Sequence, residues 1–447
     1  MMQPTPLDAW IAEQTHGGGP LDPEKLREYQ LHTLNETLAW AMENSPYHRG
    51  RLGRLPKSGL SDLGELADLP TMDESILRTR PEYVLCISQG DVARVVTLRT
   101  TGSTGEPKRL YFTAEDIAHT VDFFAVGMTQ QIRSGDTAMV FMPGATPHSV
   151  GDLLRESLTR LQAECISYGF MDDPARVAEK ILLHEARVLI GLPGQLLTLA
   201  REQAEALRGN ISSVLLSGEH APQWLARDIA SRLDCEVFIH YGLTETGLGG
   251  GVECCAHHGM HLREADLLVE IVDPGSKQPL PAGEQGEIVL TTLRRRGMPL
   301  IRYATGDKGM LLDRDCPCGS RVARLLPLGE RRGDTVPVQD SHFSLNHVDE
   351  AVFRVDRISA CNAELRYGAS PSEAATLRLS LATKSAGNEA THQLAAEVRE
   401  AMAASPVLGP LIHSHALDVD IAWTTGAECL AAGPKRSLVI QNNQESL

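Results

Sequence analysis

Aromatic residues are scarce in this chain, at 4 % of 447 positions, so its cores must be built from Leu, Val, Ile and Ala. Positive charge is also in deficit: 42 Lys and Arg against 58 Asp and Glu leave a formal charge of −16. A chain of that sign lacks the broad basic face that DNA, RNA or an anionic membrane demands, which excludes nucleic acid and membrane as general partners. The one dense basic run, Arg294-Arg295-Arg296, reads as a solvated loop. No stretch approaches the ~20 apolar residues needed to cross a bilayer. Met1 to Pro20 lacks the basic start and apolar run of a secretory signal, so a cytoplasmic location is expected. Cys86, Cys165, Cys235, Cys361 and Cys429 stand singly among nine cysteines, a usage that fits a reducing compartment rather than a disulfide framework.

What remains is an ordinary globular composition, 42 % hydrophobic and 22 % charged, long enough for two or three domains. Apolar positions predict a helix over 21–50, broken at Ser45-Pro46. The β-branched run near Arg94–Leu98 predicts a strand, then a Gly/Thr/Ser-rich loop at 100–107 and a returning strand at Leu110–Phe112. From about 116 to 250, predicted helices alternate with short apolar strands at 138–141, 163–167, 188–190, 213–216 and 236–240. That alternation implies right-handed crossovers and a mostly parallel sheet. From about 260 the texture becomes β-rich, with strands at 267–272 and 286–291. After about 330 it changes again to a small α/β pattern with a helix at 390–403. The expected fold is α/β. It comprises a large multi-part N-terminal domain over 1–330, with mostly parallel sheets and a β-rich subdomain near 250–328, and a small mobile α/β domain over 331–447.

Three segments carry chemistry. Thr100-Thr101-Gly102-Ser103-Thr104-Gly105-Glu106-Pro107-Lys108 offers backbone N–H groups, hydroxyls and a lysine to a polyphosphate. It is not the P-loop of nucleotide triphosphatases, since Lys108 follows a proline and enters a strand rather than opening a helix. His240-Tyr241-Gly242-Leu243-Thr244-Glu245 sits at a predicted strand end, where open α/β sheets bind ligands. Its ring can stack on a base, and its carboxylate can hold Mg²⁺, which prefers oxygen. Met298 to Asp307 ends in Thr305-Gly306-Asp307, a carboxylate after a Gly turn that can take both hydroxyls of a ribose. Taken singly, each has a plain structural reading: a hairpin turn, a helix cap and a turn aspartate.

In this order and spacing the three segments resemble the acyl-adenylate-forming (AMP-binding) superfamily. Ser45-Pro46-Tyr47-His48-Arg49, Leu69 to Leu77 and Leu290-Thr291-Thr292-Leu293 are similar to its phenylacetate–CoA ligase branch. The resemblance implies an acid–thiol ligase that uses ATP and Mg²⁺ to convert a carboxylic acid, favoured as aryl or arylacetic, to an acyl-adenylate with release of pyrophosphate. Transfer to the thiol of coenzyme A is expected to follow. It places Thr100, Thr101, Gly102, Ser103, Thr104, Gly105 and Lys108 on the ATP phosphates, and Gly218, Glu219, Tyr241 and Gly242 around the adenine. Thr244 would touch the α-phosphate, Glu245 would bind Mg²⁺, and Asp307 and Arg332 would reach the ribose. The hinge would lie near 332–334. A C-terminal lysine would aid adenylation, and Lys435 is the candidate. Dimers occur in this branch, so a homodimer is carried forward as an expectation.

The sequence departs from that pattern at its end. Only Gly433-Pro434-Lys435-Arg436 remains of the expected C-terminal Gly-Lys signal, and Asp340-Ser341-His342 stands where a glycine is expected in the loop used for thioester formation. Two alternatives therefore stay open: an adenylation enzyme loading a carrier-protein phosphopantetheine, and a non-catalytic nucleotide-binding relative. Acyl-pocket candidates are Phe123, Phe124, Met142, His148, Gly218 and Gly242, with core packing as the plain reading of each. Separately, Cys254-Cys255-Ala256-His257-His258-Gly259-Met260-His261 and Cys316-Pro317-Cys318-Gly319 form two knuckles able to give tetrahedral zinc four ligands. Cys254, Cys316 and Cys318 are the expected thiolates, and His261 the favoured imidazole over His257 and His258. A closed set of four implies a structural site, without catalysis.

Overall fold

The computed structural model describes residues 3–53, 55–56, 58–98, 106–368, 373–384, 388–433 and 435–441. The chain divides into two compact units, 1–167 with 238–330 and 168–237 with 331–447. It is mixed α/β, as the alternating pattern predicts.

In the first unit, Asp22 opens the helix Pro23–Asn44 by accepting the backbone N–H groups of Glu24 and Lys25, with proline at the first position. Leu26, Leu34, Leu38 and Ala41 form its buried stripe. The predicted break falls at Ser45, which is extended and caps the next helix, Pro46–Leu52. Leu34, Leu38 and Leu52 pack with Leu60, Leu66, Leu293 and Ile301, so the N-terminal helices bury one end of the third chemical segment.

Strands Arg94–Leu98 and Lys108–Phe112 pair antiparallel, with Leu98 opposite Lys108. Residues 100–105, the expected phosphate loop, lie outside the described residues. The helix Ala114–Met128 follows, fixed by a reciprocal cap between Thr113 and Asp116. Strands Thr137–Phe141 and Glu164–Ser167 are parallel, joined through the helix Val150–Arg160.

The β-rich part is antiparallel. His240 and Tyr241, ending the strand Glu236–Tyr241, pair with Gly251–Glu253, which pairs with Met260–Leu262, and that with the start of Arg324–Arg331. Leu267–Val272 pairs with Gly286–Thr292, and the latter with Tyr303–Leu312. One expectation changes here. Asp307 does not follow a turn; it lies inside the ten-residue strand Tyr303–Leu312, at a bulge. The register jumps from Val289 opposite Ala304 to Glu287 opposite Lys308, leaving Thr305, Gly306 and Asp307 against Ile288 alone. Gly306 has φ 81°, which a side chain would strain, and Thr305 Oγ1 bridges Ile288 O and Asp307 N at 2.8 and 3.0 Å.

In the second unit, parallel strands Val188–Gly191 and Ser213–Leu216 alternate with helices Pro193–Leu207 and Gln223–Leu233. A separate four-stranded sheet runs in the order Leu417–Thr424, Ala375–Thr383, Ile358–Arg366, Leu438–Gln441. Arg201 explains why residues so distant in sequence cluster. It pairs with Asp228 at 2.7 Å and donates to the carbonyls of Phe353 at 3.0 Å and of Ile358. Among the described residues no helix is long and apolar enough to cross a membrane.

Candidate functional site

Within the first unit, the three chemical segments converge on one carboxylate. Glu245 stands on the single 3₁₀ turn Thr244–Thr246, just past the strand Glu236–Tyr241, and is 3 % exposed. Its Oε1 accepts Lys108 Nζ at 2.6 Å and the Tyr303 hydroxyl at 2.9 Å. Lys108 ends the first segment and Tyr303 lies in the third. Burial pushes the Glu245 carboxyl up, but the adjacent Lys108 ammonium and the hydrogen bonds outweigh it and hold the group below its ordinary range. Glu245 is therefore ionised at neutral pH despite its burial. Lys108 Nζ also meets Glu74 Oε2 at 3.1 Å, and Glu74 pairs with Arg78 at 3.0 Å. For Glu74 too, burial raises the carboxyl and Lys108 and Arg78 more than offset it.

The turn that carries Glu245 is held from several sides. Thr246 Oγ1 accepts Leu243 N at 3.1 Å, and Thr120 Oγ1, on the helix Ala114–Met128, donates to Gly247 O at 2.8 Å. Arg295 Nη1 donates to the Glu245 carbonyl at 2.6 Å, with its guanidinium 4.2 Å from the Phe112 ring centre. This corrects the reading of the arginine triplet as a solvated loop: Arg296 is exposed, but Arg294 is half-buried and Arg295 buried. The local sequence of three cations hides a tertiary contact to a carbonyl fifty positions away.

The second and third segments also meet at Tyr241, whose hydroxyl donates to Asp307 Oδ2 at 3.1 Å. Gly242 and Thr244 are half-buried on the same strand end. Arg302, beside Tyr303, is 1 % exposed and donates to Glu270 and to the carbonyls of Ala67, Leu69 and Lys277, so it anchors the third segment rather than facing a ligand. Of the acyl-pocket candidates, Phe123, Phe124 and Met142 are buried, and Phe123 and Phe124 both lie against His240, with ring centres 6.3 and 6.2 Å away. Burial, reinforced by Arg263, lowers the His240 pKa to about 4, so that ring is a neutral wall. His148 is half-buried, with its backbone N–H on Asp152.

In the second unit, Lys435 Nζ donates to Gly218 O at 2.7 Å, and Arg436 N donates to Glu219 Oε1 at 3.0 Å. Burial raises the Glu219 carboxyl. Arg332 and Asp334 are exposed at the turn that follows the strand Arg324–Arg331.

A family profile described as AMP-binding enzyme matches residues 73–293. A phenylacetate-coenzyme A ligase of Thermus thermophilus is 28 % identical over 358 residues, covering 76 % of this chain and 77 % of that protein. A phenylacetate-coenzyme A ligase of Pseudomonas putida is 25 % identical, covering 75 % and 77 %. The chain thus carries an AMP-binding enzyme match over residues 73–293 and is similar along about three quarters of its length to phenylacetate-coenzyme A ligases. Its fold matches that of a 2-hydroxyisobutyryl-CoA ligase with a TM-score of 0.76 at 18 % identity, covering 95 % of this chain and 91 % of that one.

The chain also gathers a sulfur-rich cluster in its first unit. Donor atoms of Cys254, His261, Cys316 and Cys318 all lie within 4.8 Å of one another, and all four residues are buried. Cys254 Sγ is 3.7 Å from Cys316 Sγ, and Cys318 Sγ is 3.6 Å from His261 Nε2. Tetrahedral zinc, with Zn–S near 2.3 Å and Zn–N near 2.0–2.1 Å, separates its ligand atoms by about 3.5–3.8 Å. The donor set therefore fits the ion in type and number, and these two separations match its spacing. His261 Nδ1 faces Val322 O at 3.3 Å, which turns Nε2 toward the sulfurs. Burial lowers the His261 pKa to about 4, so the imidazole stays neutral, the form that ligates. The rivals go elsewhere: His257 packs on Phe238, with ring centres 5.0 Å apart, and the His258 ring lies by Arg324, Nδ1 3.3 Å from Nη1.

Tyr303, Arg295 and Glu74 contact Lys108 or Glu245 and were not among the residues that sequence reasoning chose. Tyr303 falls within Met298 to Asp307, Arg295 within the arginine run and Glu74 within Leu69 to Leu77, but nothing local sets any of the three beside Glu245 or Lys108.

Proposed function

We propose that this protein activates a carboxylic acid with ATP and passes the acyl group to the thiol of coenzyme A. A carboxylate oxygen of the acid attacks the α-phosphorus, forming the acyl–phosphate bond as the bond to the β-phosphate oxygen breaks and pyrophosphate leaves. The thiol, having given up its proton, then attacks the acyl carbon through sulfur, and AMP departs with the bonding pair. The observation that carries this reading is the meeting of Lys108, Glu245 and Tyr303, from three segments spread over nearly two hundred residues, on one ionised carboxylate. The names of the relatives favour an aryl or arylacetic acid as the substrate class.

In this reading residues 100–105 and Lys108 take the phosphates, Tyr241 and Gly242 with Gly218 and Glu219 border the adenine, Thr244 meets the α-phosphate, and Asp307 and Arg332 reach the ribose. Glu245 would hold Mg²⁺: both named bonds fall on Oε1, and an ionised carboxylate is the hard oxygen donor that ion prefers. When bound, Mg²⁺ neutralises charge on the phosphate oxygens. Lys108 and the hydrogen bonds that keep Glu245 anionic maintain that donor in the resting protein. Lys435 is assigned to the adenylation step, and residues 331–447 to a small domain that turns near 332–334. Cys254, His261, Cys316 and Cys318 would hold a structural zinc, which supplies cross-linking of the β-rich part and no chemistry.

The test is acid-dependent ATP–pyrophosphate exchange over aryl, arylacetic, aliphatic and amino acids. Exchange with an arylacetic or aryl acid, followed by a coenzyme A thioester, supports the reading. ATP binding without exchange across the panel would replace it with a nucleotide-binding relative, and transfer to a phosphopantetheinylated carrier in place of coenzyme A would replace the second half.

A further inference from the structure

Lys435 sits on a short segment with little apolar anchorage. The strand that follows it, Leu438–Gln441, is the edge of the four-stranded sheet and leaves Val439 and Ile440 exposed. What secures the segment is the neighbouring residue. Arg436 forms a two-pronged ion pair with Asp349, Nη1 to Oδ2 and Nη2 to Oδ1, both at 2.6 Å. Asp349 lies on the helix Leu345–Val352. The guanidinium also faces the Phe353 ring, 5.3 Å from its centre. Its stem passes so close to Gly194 that a Cβ there would come within 2.9 Å of Cδ. The backbone is tied as well, through Arg436 N to Glu219. Two consecutive side chains thus point apart: Arg436 inward into a fitted slot, and Lys435 outward with Nζ on Gly218 O.

A lysine on a four-carbon stem reaches a fixed point only if its own backbone is fixed. A planar fork on a carboxylate sets both distance and orientation, which a point charge cannot do. We propose that the Asp349–Arg436 pair is the latch that places Lys435 for adenylation, making Arg436 a positioning residue. The proposal rests on the assignment of Lys435 made above.

The test is a double-mutant cycle on acid-dependent ATP–pyrophosphate exchange with Lys435→Ala, Arg436→Ala and the pair. Misplacing a catalytic group by about 1 Å costs roughly a hundred-fold in rate, so Arg436→Ala should lower kcat on that order with KM for ATP little changed. Because Arg436 acts through Lys435, the double variant should be no slower than Lys435→Ala alone. Asp349→Asn and Arg436→Lys keep the side-chain size if the alanine variant folds poorly. Both should lower kcat in the same way, and Asp349→Asn should also speed tryptic cleavage after Lys435 and Arg436. Full multiplication of the two single effects, or an Arg436→Ala variant as fast as the parent, overturns the latch and leaves Lys435 in its role. An unaffected Lys435→Ala variant overturns the assignment and the latch together.

Discussion

Lys108→Met removes the ammonium that keeps Glu245 ionised, and its consequence for stability follows from the geometry. Glu245 is 3 % exposed, and its Oε1 loses the 2.6 Å partner while keeping the Tyr303 hydroxyl. Glu74 loses one cation but retains Arg78. Breaking a buried pair by deleting one partner costs roughly 3–5 kcal/mol. For a unit of this size that is a fall of roughly 6–20 °C in the unfolding midpoint. The pH dependence should change sign. In the parent, the folded-state pKa of Glu245 lies below its ordinary 4.5, so its contribution is present above that value and is lost as pH falls through the folded pKa. In Lys108→Met, burial acts without the compensating charge and raises the folded pKa, so stability is lost as pH rises from the unfolded value. Thermal unfolding at pH 5 and pH 8 measures both. The variant should lose more at pH 8, and Lys108→Met with Glu245→Gln should recover much of that loss. A variant as stable as the parent at pH 8, or one whose loss is the same at both pH values, would refute the reasoning.

Asp307→Ala should weaken ATP binding by roughly ten-fold or more, the loss of a charge-assisted hydrogen bond worth about 1.5–3 kcal/mol, read by calorimetric titration; unchanged affinity sinks the ribose assignment. Purified protein should carry one zinc per chain by elemental analysis. Cys316→Ser should abolish it and lower the unfolding midpoint, because binding energy at a structural site is folding energy; a metal-free chain with an unchanged midpoint contradicts the site. Tyr303→Phe should leave the fold intact and slow exchange by roughly ten-fold, since one hydrogen bond to the charged Glu245 is removed.

The helix and strand alternation from 137 to 241 was legible because each strand is a short apolar run between amphipathic helices. The strands Gly251–Glu253 and Met260–Leu262 are three residues long, too short to show a period. Tyr303–Leu312 was hidden because Gly306 and Asp307 are turn-forming residues, here absorbed in a bulge. Lys108 and Glu245 could be picked out from their local strings, but their 2.6 Å contact spans 137 positions and is a tertiary fact. The same holds for Glu74, for Arg295 on the Glu245 carbonyl, and for Asp349 beneath Arg436. His261 could not be separated from His257 and His258 by spacing; the direction of its Nε2 depends on Val322, sixty-one residues away.

The most direct measurement is ATP–pyrophosphate exchange by the unaltered protein, with and without each acid of the panel. The account predicts exchange that depends on Mg²⁺ and on an aryl or arylacetic acid. Tight ATP binding with no acid-dependent exchange would contradict it.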